Sequence, residues 1–264
     1  MLNRILVVFV EEKDVEYLTK YTKMIKENYP EVDIVGMFIH SVVDKDEFKE
    51  FMAADDLYRL KIKNIDKEYQ RITQAEKERS ERIEKTFLSI IKEANFYNMV
   101  GDSSKILLEE LKFFDLAILA KSNELTHEEK VLLNTHHKPV ILVPELEDYS
   151  LEKVMLADDL EIKSNKALFN FMEIFSSVTE FTAITVSEDK TNDEEDLNLY
   201  MKKAEKNFKR EFSSGEVHKI ILEYSKDYDL IIMGDLKHSI MLEKTIREPG
   251  VKIIESAKKP IFIA

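Results

Sequence analysis

The chain repeats itself. Residues 104–120, SKILLEELKFFDLAILA, align without a gap on residues 218–234, HKIILEYSKDYDLIIMG. Lys105, Ile106, Glu109, Asp115, Leu116 and Ile118 recur as Lys219, Ile220, Glu223, Asp229, Leu230 and Ile232, and Gly101 falls on Gly215 in the same register. Downstream, Lys138-Pro139-Val140-Ile141 is echoed by Lys259-Pro260-Ile261-Phe262; upstream, Arg4-Ile5-Leu6-Val7 is echoed by Lys153-Val154-Met155-Leu156. Any two helix-then-strand units look alike, but a gapless match together with a repeated Lys-Pro strand favours duplication. Such a chain folds as two copies of one unit, expected over 1–147 and 148–264, with the boundary in the short acidic loop 144–150.

Short apolar runs alternate with amphipathic stretches in each unit. Residues 5–10, 34–39, 116–120 and 140–143 read as buried strands, and 154–157, 181–186, 230–233 and 261–264 do the same in the second half. Near-continuous Val, Ile and Leu without alternation is the pattern of a parallel sheet covered by helices on both faces. Five glycines and five prolines in 264 residues leave few sharp turns, which favours long helices over an all-β fold. Each half is therefore read as strand, helix, strand, long helix, short helix, strand, loop, helix, strand.

The two halves differ in length. Ile5 to Val154 is 149 positions and Gly101 to Gly215 is 114, so the first half carries about 35 extra residues. They fall in 44–95, a charged stretch with apolar residues at helical spacing: Ile65, Tyr69, Ile72, then Ile83, Phe87, Ile90 and Ala94. Its middle, 74–82, is almost wholly polar, as in a helix that projects or bridges solvent. This region is expected to be a helical insertion, or simply a longer surface helix, and to serve contact with a protein partner or self-association. The two halves side by side make a monomeric pseudo-dimer, and the extra helices would allow a homodimer.

The net charge of -13 argues against nucleic acid or an anionic membrane as partner. No cysteine is present, so neither a disulfide nor a thiolate metal site forms. The first apolar run is too short for a leader or a span, and a cytoplasmic protein is expected.

A strand opening K-I-L-V, a repeat closing D-L-I-I-M-G, then a helix and a terminal K-P-I-x-I-x strand resembles the universal stress protein domain, once in each half. Residues 227–234, DYDLIIMG, carry the likeness most specifically. The resemblance implies an α/β fold of two tandem Rossmann-like domains, each a five-stranded parallel sheet flanked by helices. It implies a stress-response protein that is not an enzyme. It also implies that ATP or another adenine nucleotide is a candidate ligand at the carboxyl ends of the strands, where open parallel sheets place ligands.

The family's nucleotide-binding version uses Gly, two residues, Gly, nine residues, then Gly-Ser or Gly-Thr, plus an acidic residue after the first strand. Glycines there let backbone N–H groups approach phosphate oxygens. In the second half Asp159 matches the acidic position and Gly234 the first glycine. Lys237 stands at the second glycine and Arg247-Glu248 at the Gly-Ser position, with Gly250 three residues late. Lys237 and His238 would contact phosphate by charge. Against this, Asp159 reads equally as a strand-end turn residue and Gly234 as a turn into a helix. In the first half Val10, Ala120 and Asn123 hold the corresponding positions, and no glycine cradle remains. Nucleotide binding is expected to be weak or absent, with a module binding ATP or AMP through the second half alone as the alternative.

Little else suggests chemistry. Adjacent His136 and His137 diverge, His40 ends a strand, and Asp158, Asp159 and Glu161 read better as a capped helix start than as a cation site. No Walker loop, nucleophile elbow or His-Glu-x-x-His motif occurs. The acidic run 189–196 reads as a mobile loop.

Overall fold

Ten strands pair into one sheet. The protein is described by a computed structural model over residues 2–40, 65–135, 138–187, 194–236 and 249–264. The strands are β1 (Arg4–Phe9), β2 (Asp33–His40), β3 (Asn95–Val100), β4 (Leu116–Ala120) and β5 (Val140–Val143), then β6 (Lys153–Asp158), β7 (Glu180–Val186), β8 (Asn207–Ser213), β9 (Leu230–Met233) and β10 (Ile261–Ile263). Their order is β3-β2-β1-β4-β5-β10-β9-β6-β7-β8. The first five strands and the last five have the same internal order, and all pairs within each half are parallel.

The halves join where β5 pairs antiparallel with β10, Ile141 opposite Phe262. Each half thereby covers the other's inner edge strand, which would otherwise offer unpaired backbone groups to other chains. Because that pairing is antiparallel, the carboxyl ends of the strands in the two halves point in opposite directions.

Helices cover both faces. On one lie α1 (Val15–Asn28), α2 (Ile65–Ile90), α5 (Ile162–Ile174) and α6 (Glu194–Lys203), closing a core that includes Leu18, Tyr21, Phe87, Phe171, Phe175 and Met201. On the other lie α3 (Ser103–Glu110), α4 (His127–Thr135), α7 (Val217–Tyr224) and α8 (Pro249–Ser256), burying Leu107, Leu133, Ile221 and Ile254. The halves also touch through helix ends: the Tyr29 ring packs 5.8 Å from Phe175, and its hydroxyl meets Ser177 Oγ at 2.5 Å.

Two expectations need correction. The five strands that the resemblance implies for each half are present, but the residue patterns locate only four, leaving β3 and β8 unplaced and running the first-half insertion as helix up to residue 95. Both are outer strands with one exposed face, so their sequences, NFYNMV and NFKREFS, alternate and lack the solid apolar signature of the inner strands. Nor does the polar stretch 74–82 project. It is fastened to the body by polar contacts: Arg79 donates to the Val10 carbonyl at 2.7 Å and lies over the Phe38 ring, Arg82 pairs with Glu12 at 2.7 Å, and Ser80 contacts Asn98. Just beyond it, Ile83 and Phe87 are fully buried. Helix α2 is therefore the crossover between β2 and β3, lengthened at its amino-terminal end. Of the rest of the insertion, 44–64 lies outside the described residues. Within the acidic run 189–196, Glu194, Glu195 and Asp196 open helix α6, and the preceding residues lie outside the described ones.

Candidate functional site

At the carboxyl ends of β6, β7 and β9 lies a cavity of about 440 Å³. Ile184, Val186, Ile221, Met233 and Ile253 form its apolar lining, and Asp158, Asp159, Glu161, Lys163, Gly234 and Asp235 supply its polar part. Two of the four residues singled out by the sequence, Asp159 and Gly234, thus line one cavity. Lys237 and His238 lie outside the described residues, as do Arg247 and Glu248.

The turn from β6 into α5 shows what these acidic residues do. Asp158 is buried; its Oδ1 accepts from the Leu160 N–H at 2.9 Å and from the Ser164 hydroxyl at 2.8 Å. Its Oδ2 accepts from Arg210 Nη2 at 2.7 Å, a pair with side chains 1% and 8% exposed. Asp159 is exposed and its carboxylate accepts the Glu161 N–H at 3.0 Å, an Asx-type turn. Leu160 between them has φ 63°, a left-handed conformation that a branched side chain rarely adopts. The acidic pair holds this strained turn, so a structural role accounts for both. The expected helix cap is not formed: the side chain of the N-cap residue Glu161 makes no capping bond, and Asp158 holds the Leu160 N–H and the Ser164 hydroxyl rather than a backbone N–H of the first helical turn. Among the described residues no group of three His, Asp or Glu side chains is arranged to hold a metal ion.

Gly234 has a packing reason as well. A Cβ on it would lie 2.8 Å from Lys163 Cβ and 2.9 Å from the Lys163 carbonyl carbon, so the glycine lets α5 approach the end of β9. The next residue, Asp235, places its carboxylate 3.8 Å from both Lys163 Nζ and Lys166 Nζ in the first two turns of α5. An internal anion therefore already sits beside the lysines of that helix start, where its dipole is positive.

The corresponding end of the first half is built differently. Ala120, Lys121, Ser122 and Asn123 line a cavity of about 620 Å³ together with Asp14, Tyr17, Pro144 and, from the second half, Ala257 and Lys258. Lys121 Nζ donates to the Ser122 carbonyl at 3.2 Å and to the Glu255 carbonyl at 3.0 Å in the last turn of α8. Burial lowers its pKa, partly offset by Glu129 and Glu255. Lys121 is thus a clamp between halves. Asp14 accepts the Tyr17 hydroxyl at 2.9 Å, and burial raises the pKa of both groups.

The residue that sequence reasoning missed is Arg210. Its chain spans from β8 across β7 to Asp158 on β6, between neighbours fixed by the strand registers. In the first half the registers put Phe9 in the place of Asp158 and Phe96 in the place of Arg210. Phe9 stacks on Phe96 at 6.1 Å and meets Phe87 edge-on at 5.4 Å. Gly36 makes room, since a Cβ there would stand 2.6 Å from Phe96 and 2.7 Å from Phe87. One half thus holds a buried ion pair where the other holds an aromatic cluster.

No protein-family model matches the sequence, and no curated protein is similar enough to be matched. Solved structures are similar in fold. A universal stress protein from Archaeoglobus fulgidus DSM 4304 superposes with a TM-score of 0.65 at 18% identity, over 99% of this chain and 96% of that one. A protein of unknown function from Pseudomonas aeruginosa PAO1 does so with a TM-score of 0.55 at 12% identity, over 99% and 92%. A protein from Pseudomonas aeruginosa UCBPP-PA14, provisionally assigned to the universal stress proteins, gives the same values. These likenesses span both halves, and they establish that this chain has the fold of the universal stress proteins along its whole length.

Proposed function

We propose that the chain is a cytoplasmic stress-response protein of the universal stress type that acts through protein contacts rather than catalysis, and that its pockets bind nucleotide weakly or not at all. The observation that carries this reading is Asp235. Its carboxylate occupies the neighbourhood of Lys163 and Lys166 at the start of α5, the place where a phosphate would gain most from those charges. Gly234 serves helix packing and Asp159 its own turn, so neither is left needing a ligand. In the first half Lys121 bonds carbonyls of the chain itself. Titration calorimetry with ATP, ADP and AMP tests the reading, with no micromolar binding expected. A micromolar signal that Asp159→Ala abolishes would overturn it.

Protein contact is assigned to the outward side of α2, where Ile72 is 42% exposed, and to the insertion before it. Ile72→Glu is the suitable variant, because removal of residues 63–93 would take the buried Ile83 and Phe87 with it. Partners cross-linked to the wild type in cell extract should be lost with Ile72→Glu at unchanged thermal stability. Retention of every partner would remove α2 as the contact surface.

The second reading is a nucleotide-binding module that uses the second half alone, with Asp159, Gly234, Lys237 and His238 as ligands. The apolar lining of the 440 Å³ cavity favours it, since Ile184, Val186 and Ile221 suit the face of a base. The same calorimetry separates the two readings.

A further inference from the structure

We propose that β8 is a docking edge for a second copy of this chain, whose own β8 adds antiparallel about a two-fold axis through Arg210. Among the described residues β8 pairs only with β7 and ends the sheet. Its direction and register can be read from its bonds. The Asn207 N–H donates to the Thr179 carbonyl at 2.8 Å, and the Ser213 carbonyl accepts from the Ser187 N–H at 3.0 Å. Backbone groups alternate sides along a strand, so those of residues 207, 209, 211 and 213 face β7, and those of Phe208, Arg210 and Phe212 face outward.

The sequence of the edge, Asn-Phe-Lys-Arg-Glu-Phe-Ser, is self-complementary about Arg210. Antiparallel pairing centred there sets Phe208 opposite Phe212 of the second copy and Arg210 opposite itself. These are the residues with outward backbone groups, so each facing pair exchanges both of its N–H···O=C bonds. Lys209 then falls opposite Glu211 of the second copy in the non-hydrogen-bonded pairs, where Cα atoms approach to about 4.5 Å and side chains lie closest. Both residues are exposed and lie on one face. A guard against edge pairing would present one sign of charge; here each charge meets its opposite. Arg210 on the axis brings no like-charge clash, because its guanidinium turns inward to Asp158.

The helix that covers this edge strand also carries exposed apolar side chains. Helix α6 packs on β8 and leaves Leu199 and Tyr200 51% and 49% exposed, and Tyr200 contacts the ring of Phe169, itself 38% exposed, at 4.8 Å. By the register of the helix ends and strands these three correspond to Lys85, Thr86 and Lys23 in the first half, so the apolar patch has no counterpart in the half that holds β3. The opposite edge, β3, has the sequence NFYNMV, without charge or symmetry. An isologous contact needs one patch that matches itself, and the sequence of β8 provides it.

Sedimentation velocity on the full chain across the micromolar range tests the proposal, with a reversible dimer expected. Lys209→Glu sets like charges opposite each other at two symmetric places and should weaken the dimer at least about tenfold. Glu211→Lys alone should act equally, and serves if the first variant does not fold, as judged by circular dichroism. Combining Lys209→Glu with Glu211→Lys restores both pairs and should restore the dimer. A chain that stays monomeric, a dimer that neither single variant weakens, or a double variant that remains as weak as the singles would each overturn the proposal.

Discussion

The carboxylate of Asp229 accepts the backbone N–H groups of both Glu152 and Lys153 at 2.9 Å, and Asp115 accepts those of Asn3 and Arg4 at 2.8 and 3.0 Å. The aspartate that recurs in the internal repeat is therefore a staple. It ties the start of the first strand of each half to the loop before the fourth. Asp229→Ala removes two charge-assisted bonds and should lower unfolding stability by about 1–3 kcal/mol. Asp229→Asn keeps one acceptor oxygen and should lose less. Urea denaturation of these variants and of Asp115→Ala checks the prediction, and a large difference between the two alanine variants would break the equivalence of the staples.

The contrast between Asp158–Arg210 and Phe9–Phe96 makes a second prediction. Removing one partner leaves the other charge buried and alone, so Arg210→Met should cost about 3–5 kcal/mol. Replacing both with apolar residues, Asp158→Leu with Arg210→Met, imitates what the first half does at the same register and should recover much of that loss. A double-mutant cycle by chemical denaturation reads the coupling. If the double variant is as unstable as the sum of the singles, then the bonds from Asp158 to Leu160 and Ser164, rather than the ion pair, hold the turn.

Such pairs mark the limit of what the sequence shows. Inner strands such as Val140–Val143 and Leu230–Met233 are legible because burial on both faces makes them solidly apolar. The repeat is legible too, and the first five strands and the last five share one internal order in the sheet. Edge strands β3 and β8 escaped because only one of their faces is covered. Arg210 escaped because its partner is 52 residues away, and contact across three strands has no local pattern. Gly234 was legible as a special position, but a glycine needed for helix packing and a glycine needed for phosphate look the same in sequence. Only the neighbouring backbone of Lys163 separates them.

The pH dependence of Asp14 gives a third prediction. Its side chain is buried beneath the first-half cavity, and burial raises its pKa, with Glu11 adding to the shift and Tyr17 and Lys13 opposing it. A carboxyl group whose pKa is higher in the folded chain than in the unfolded chain favours folding when protonated. That contribution is complete below the unfolded value and is lost as pH rises through the folded value. At neutral pH the ionised group therefore opposes folding. Asp14→Asn keeps an oxygen to accept the Tyr17 hydroxyl and carries no charge. The variant should be more stable than wild type at about pH 7, and the difference should close as pH falls to about 4, near the ordinary carboxyl range. Urea denaturation of both proteins across that interval measures it. A variant less stable than wild type at neutral pH would mean that the bond from Tyr17 to the charged carboxylate outweighs the penalty of burial.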